Sequence, residues 1–272
     1  KNSFFGDLAS LIKLRKQEFD VCFEIDHSVV PHAIIRHKII KPKKIISVAK
    51  DGRYGVSGDE LTIYDYYTIK PKNMHFRDIW LKTLTPFGIN LVSNKYDLFL
   101  SNKQQATALN FFKKYSSKLK IGINLQGAVK GKKIKEAELK KICKGIKDIH
   151  LQAQFFILHI PKDSRSIKKL VEDMGLDFVI PSYKTDKILD VAALIKNLDI
   201  VITPDTSISH IASAFNIPIV SIHENNQESY NLFAPTSFLN ETVFSPEKDS
   251  LDGYDLQKVI SLSNKLINKI LL

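Results

Sequence analysis

Asp205, Thr206, Ser207 and His210 are the densest group of chemistry-bearing side chains in the sequence, within LDIVITPDTSISHIASAFNIPIVSIH at residues 198–223. An Asp or Thr at 205 or 206 suits a helix N-cap, because its oxygen accepts an N–H that the first turn leaves unpaired. The N–H groups of Thr206, Ser207 and Ile208 would then point out of the helix start. Two hydroxyls add donors, and His210 falls on the same helix face. Together they would cradle an anion such as a diphosphate. Taken alone, the loop fits an ordinary cap with a surface histidine equally well. A second polar loop reads Gln126-Gly127-Ala128-Val129-Lys130-Gly131-Lys132-Lys133. A lysine there could neutralise phosphate charge, although Lys133 stands where a Walker A loop needs Ser or Thr. The plainer reading of this loop alone is a solvated basic turn. A third loop, Ile180-Pro181-Ser182-Tyr183-Lys184, offers Ser182 and Tyr183 as a wall for a nucleobase, and by itself is only a turn.

Each of these loops follows an apolar run. Ile200–Ile202, Leu119–Leu125 and Phe178–Ile180 read as buried strands, and each is followed by helical spacing. After the 203–207 turn come Ile208, Ile211, Ala212, Ala214 and Phe215 on one helical stripe, and then a strand at 217–222. Further strands are predicted at 20–25, 44–48 and 155–159. Helices are predicted at 8–19, 31–40, 74–87, 103–116, 135–149, 164–174, 186–197 and 254–271. The segment 51–72, rich in Gly, Tyr and Asp, reads as irregular. The alternation predicts an α/β protein with parallel sheets. A short N-terminal half is expected at 1–117, and a second half with about five strands at 118–272.

With 44% hydrophobic residues the chain can build a real core, and no apolar run reaches the length of a membrane span. Cys22 and Cys143 are too few for a disulfide framework or a thiolate zinc site. His27, His32 and His37 cluster without the carboxylate or cysteine spacing of a metal site, and read as surface histidines. The net charge of +11 is spread along the chain with no nucleic-acid motif, which favours an anionic small ligand over nucleic acid.

The stretch 194–223 resembles the signature of glycosyltransferase family nine, the bacterial heptosyltransferases of lipopolysaccharide synthesis. That family carries D-T-[GS]-x-x-H-x-x-[AG]-A followed by a turn, a proline and a strand. Here it stands as Asp205-Thr206-Ser207-Ile208-Ser209-His210-Ile211-Ala212-Ser213-Ala214, with Pro218 in place. Residues 121–134 resemble the strand and loop before the family's K-x-W-P element. Lys132 falls on the lysine, while Ile134 replaces the tryptophan and Lys135 the proline. Phe19 to Asp26 resembles the family's YDLVIDL strand. The resemblance implies two Rossmann-like domains facing across a cleft (the GT-B type), with the nucleotide-sugar donor in the C-terminal domain and the acceptor in the N-terminal one.

It further implies an inverting, metal-independent transfer of a heptose from a donor such as ADP-heptose to an anionic lipopolysaccharide core. No cofactor is expected, and no Asp-x-Asp triplet occurs; Glu24-Ile25-Asp26, the nearest, reads as a strand end. Lys132 and Asp205 are the catalytic candidates. Gly127, Ala128, Lys132, Ser182, Tyr183, Asp205, Thr206, Ser207 and His210 are the donor-binding ones. The protein would be cytoplasmic, with peripheral contact at the inner membrane. The family's first strand and its Gly-Asp loop, whose aspartate is the proposed base, have no clear counterpart. Phe5-Gly6-Asp7-Leu8 has the letters without the strand, so the N-terminal domain is expected to be truncated or short. A non-catalytic nucleotide-sugar-binding protein and a GT-B-like epimerase are the alternatives.

Overall fold

The computed structural model describes residues 4–71, 73–89, 93, 95–115, 118–127 and 131–272. They form two compact units, residues 1–94 with 231–233, and residues 95–230 with 234–272. In the first, α1 (Phe4–Arg15), β1 (Val21–Glu24), α2 (Pro31–Ile40), β2 (Lys44–Val48), β3 (Tyr66–Thr68) and α3 (Phe76–Leu81) follow in order. The strands make a parallel sheet in the order β1-β2-β3. β3 lies in the segment expected to be irregular. Three residues paired on one side only, two of them exposed, carry too little periodicity to read. Gly6 and Asp7 lie inside α1 rather than in a strand-to-helix loop. His37 is buried, against its expected place on the surface. It sits in α2, where the 3.6-residue repeat from buried Ala33 turns it inward.

The second unit continues with α4 (Asn102–Phe112), β4 (Leu119–Asn124), α5 (Glu136–Lys147), β5 (Ala153–Leu158), α6 (Ser164–Met174), β6 (Val179–Pro181) and α7 (Ile188–Ile195). It ends with β7 (Ile200–Pro204), α8 (Ser207–Ala214), β8 (Ile219–His223), α9 (Gln227–Phe233, whose last three residues belong to the first unit), β9 (Asn240–Phe244) and α10 (Leu256–Leu271). Six parallel strands lie in the order β6-β5-β4-β7-β8-β9. Strand β9 and helix α9 were not expected. β9 is an edge strand, half-buried and polar at Asn240, Glu241 and Thr242, so it lacks the apolar run that marks an interior parallel strand.

Strand periodicity divides the core into two layers. Ile121, Ile123, Ile200, Ile202, Val220 and Ile222 face α5, α6 and α10. Phe156, Leu158, Val201 and Ile219 face α4, α7 and α8. Phe155 and Phe156 are fully buried on opposite faces of β5, each stabilising the fold by roughly 2–3 kcal/mol through burial alone. On the second face Gly122 leaves room for Leu198, whose Cδ1 lies 2.3 Å from where a Cβ would sit. The units divide at 94/95 rather than at 117/118. Phe111, Phe112 and Tyr115 stack around Phe156 at ring-centroid distances of 5.8, 4.9 and 5.5 Å, which ties α4 to the second sheet.

Candidate functional site

The strand order brings the ends of β4, β7 and β8 side by side. From β7 the chain turns through Asp205 to Thr206, which caps α8: its Oγ1 accepts the Ile208 N–H at 3.1 Å. Of the two candidate caps it is therefore Thr206. The Ile208 N–H is thereby consumed, so the cradle left at the helix start is made by the N–H groups of Thr206 and Ser207 and the exposed Ser207 hydroxyl. Asn124, at the end of β4, holds the cap from behind, donating to Thr203 Oγ1 at 3.1 Å and Thr206 Oγ1 at 3.2 Å. No motif marked Asn124 or Thr203. Their role depends on β4 and β7 being neighbours.

The β4 loop closes on itself, with the Gly127 N–H donating to the Lys132 carbonyl at 2.9 Å and the Ile134 N–H to the Leu125 carbonyl at 2.8 Å. Gly127 passes close to the cap: a Cβ there would lie 3.2 Å from Thr206 Cγ2 and 3.6 Å from the Asp205 carbonyl oxygen. Ala128 lies outside the described residues. Ile134 is fully buried in the core, and Lys135 stands at the N-cap position of α5, its N–H donating to Glu138 Oε2 and its ammonium pairing with Asp252 at 2.7 Å on the surface.

This loop brings the Lys132 Nζ to 3.2 Å from Asp205 Oδ2 and 2.6 Å from Glu224 Oε2. Burial opposes the lysine's charge, but the Glu224 and Asp205 carboxylates more than offset it and hold its pKa above the ordinary value. His223, beside them, is buried and pushed to a lower pKa by desolvation, which outweighs the pull of Asp205 and Glu224.

Lys132, Asp205, Thr206, Ser207 and Gly127 line one cavity of about 920 Å³. Its apolar wall includes Leu158, Ile160, Ile188, Val191 and Ile208, and Gln126, His159 and Asp163 supply polar groups. Gln126 Nε2 donates to Asp163 Oδ2 at 2.6 Å. Such a space, mostly apolar with a polar end that holds the Lys132 ammonium, suits a nucleotide-sized ligand.

Ser182 and Tyr183 do not line it. β6 is the edge strand, and the chain leaving it turns toward the α4 layer. The Tyr183 ring packs on Phe111 at 5.3 Å, its hydroxyl donates to the Asp190 carbonyl, and burial pushes its pKa up to about 12. Ser182 is buried, with its carbonyl 3.1 Å from His159 Nε2. The wall expected of these two is not theirs: the apolar lining of the cavity is aliphatic. His210 also stands off the lining, its ring 6.3 Å from that of Tyr96. Burial lowers its pKa, with Asp205 pulling the other way.

The family model of glycosyltransferase family 9 (heptosyltransferase) matches residues 9–249. A crystal structure of a family 9 glycosyl transferase from Veillonella parvula DSM 2008 is similar over 99% of this chain and 81% of its own, with TM-score 0.77 and 14% identity. ADP-heptose LPS heptosyltransferase II of E. coli is similar over 97% and 81%, with TM-score 0.72 and 15% identity. E. coli heptosyltransferase WaaC, solved with ADP, is similar over 97% and 79%, with TM-score 0.67 and 16% identity. At these identities the likeness is one of fold, and the two parallel sheets agree with the GT-B type. A search of curated proteins finds no match.

Proposed function

The chain belongs to glycosyltransferase family 9, the heptosyltransferases, and from that premise we propose that its second unit holds a nucleotide-sugar donor with the diphosphate against Lys132 and the start of α8. The observation that carries this reading is the convergence of Lys132, Asp205 and the Thr206–Ser207 turn on one end of the 920 Å³ cavity. In this reading the nucleoside fills the apolar part, between Leu158, Ile160 and Ile188, and the sugar lies toward Ser207. The match over residues 9–249 favours transfer over the epimerase alternative.

The proposed reaction is a single displacement. An acceptor hydroxyl attacks the anomeric carbon and the bond to the diphosphate oxygen breaks, so the configuration inverts. The hydroxyl proton passes to a general base. Negative charge grows on the leaving diphosphate, where the Lys132 ammonium and the two N–H groups meet it, in the role a divalent cation takes in metal-dependent transferases. Asp205 holds the lysine in place. The proposed sugar is a heptose from ADP-heptose or a related nucleotide. The proposed acceptor is an anionic lipopolysaccharide core at the cytoplasmic face of the inner membrane, which the +11 charge would attract. No helix among the described residues is long and apolar enough to cross a membrane.

Calorimetric titration with ADP, ADP-heptose and UDP-sugars tests the donor site. Binding of one of them, weakened in Lys132→Ala and Asp205→Ala, is the expected result. A folded chain that takes none of these nucleotides would remove the reading.

A further inference from the structure

Glu224 is the member of this cluster that no motif requires. It follows the last residue of β8, and its carboxylate holds the Lys132 Nζ at 2.7 Å from Oε1 and 2.6 Å from Oε2, closer than Asp205 does. The three side chains are only 13%, 17% and 11% exposed for Lys132, Asp205 and Glu224, so solvent screens their charges weakly. One ammonium against two carboxylates leaves the cluster one negative charge in excess. That is the wrong sign for a diphosphate, unless one carboxylate leaves.

Among the described residues both carboxylates have Lys132 as their hydrogen-bond partner and neither takes a backbone N–H, but Glu224 has the longer side chain, with one more rotatable bond, and is the one better able to swing away. Glu138 and Asp190, by contrast, are clamped by backbone donors, Lys135 N at 2.7 Å and Lys187 N at 3.0 Å. Rotation about the Glu224 side chain breaks its ion pair with Lys132, and an incoming diphosphate takes its place at the lysine.

We propose that Glu224 is an intramolecular placeholder for the donor's diphosphate: its carboxylate occupies Lys132 in the empty site, yields it when the nucleotide arrives, and competes for it again when the nucleoside diphosphate must leave. This rests on Lys132 being the diphosphate's partner. It makes Glu224 a residue that weakens nucleotide binding, the opposite of what a ligand-contacting carboxylate does.

The test is titration of the full chain with ADP, UDP and adenosine, comparing wild type, Glu224→Gln, Glu224→Ala and Lys132→Ala, with thermal melts as the check on folding. Removing the competing charge is expected to tighten the diphosphate that binds by on the order of tenfold in both Glu224 variants, and to leave adenosine unchanged. Unchanged or weaker diphosphate binding in a folded Glu224 variant overturns the proposal. If wild type binds ADP or UDP in a Lys132-dependent way while the Glu224 variants gain nothing, only the placeholder role falls. If neither wild type nor the Glu224 variants take a nucleoside diphosphate, the donor-site reading falls with it.

Discussion

Each unit carries a low-exposure lysine beyond a parallel strand, paired with carboxylate, and the two pairs are built for different ends. In the first unit Lys50 meets Glu24 at 2.5 Å, with side chains only 2% and 8% exposed. Two further donors hold that carboxylate: Oε1 takes the Asp26 N–H at 2.8 Å and Oε2 the Tyr64 hydroxyl at 2.9 Å. The Lys50 ammonium also donates to the Asp26 carbonyl and lies 5.2 Å from the Tyr64 ring centroid. Here desolvation prevails over Glu24 and lowers the lysine's pKa. In the second unit Lys132 has two carboxylates, a raised pKa and a cavity at its side. A buried pair clamped by further donors holds its unit together, whereas a pair with an excess charge and an adjoining space can change partners.

The sharpest way to break this contrast is Lys50→Ala. It leaves Glu24 buried and uncompensated, and is expected to cost about 3–5 kcal/mol, read by urea denaturation. A loss under about 1 kcal/mol would put Lys50 in the same class as Lys132. Lys132→Ala should show the reverse balance. It is expected to cost less stability than Lys50→Ala, because Asp205 lines the cavity and can turn to water, but to weaken nucleoside diphosphate binding by roughly 10- to 100-fold, read by calorimetry.

Smaller effects sharpen the geometry of the second site. Gly127→Ala crowds Thr206 Cγ2 and should cost about 1–2 kcal/mol, with weaker nucleotide binding. Thr206→Ala removes the α8 cap and should cost about 1 kcal/mol, visible as a lower melting temperature.

Smallest is the effect of pH. His37 in the first unit and His223 in the second both have pKa values pushed below 6.5 by burial. In each case the unfolded chain binds the proton more readily. The stability they contribute is therefore full above pH 6.5 and is lost as pH falls through their lower folded-state values. Melting temperatures between about pH 7.5 and about pH 5 should fall for the wild type, and less steeply for His37→Gln and His223→Gln. An unchanged slope in both variants would mean that neither histidine is neutral in the fold for the reason given.

Much of this was legible from local pattern. The strand, turn and helix at 200–214 follow from an apolar run, a capping residue and a 3.6-residue stripe, all of which act over a few neighbours. The same holds for the β4 loop and its lysine. The elements that went unread, β3, α9 and β9, are short or half-exposed, and their stability comes from what they pair with rather than from their own periodicity. Ser182 and Tyr183 were misplaced for a related reason: a polar turn after a strand looks the same whether the strand is central or at the edge.

By itself the sequence determined the order of strand and helix units, the capped turn at Asp205–Thr206–Ser207, the loop bearing Lys132, and, through its match to the family model, membership of glycosyltransferase family 9. Only the tertiary structure decided that β4, β7 and β8 lie side by side. Lys132 thereby meets Asp205 and Glu224, 73 and 92 residues away, beside a cavity walled by aliphatic side chains. The reason is physical. Propensity and patterning act along the chain, whereas the order of strands in a sheet is set by packing between layers distant in sequence, and the charge balance at their ends exists only once that order is formed.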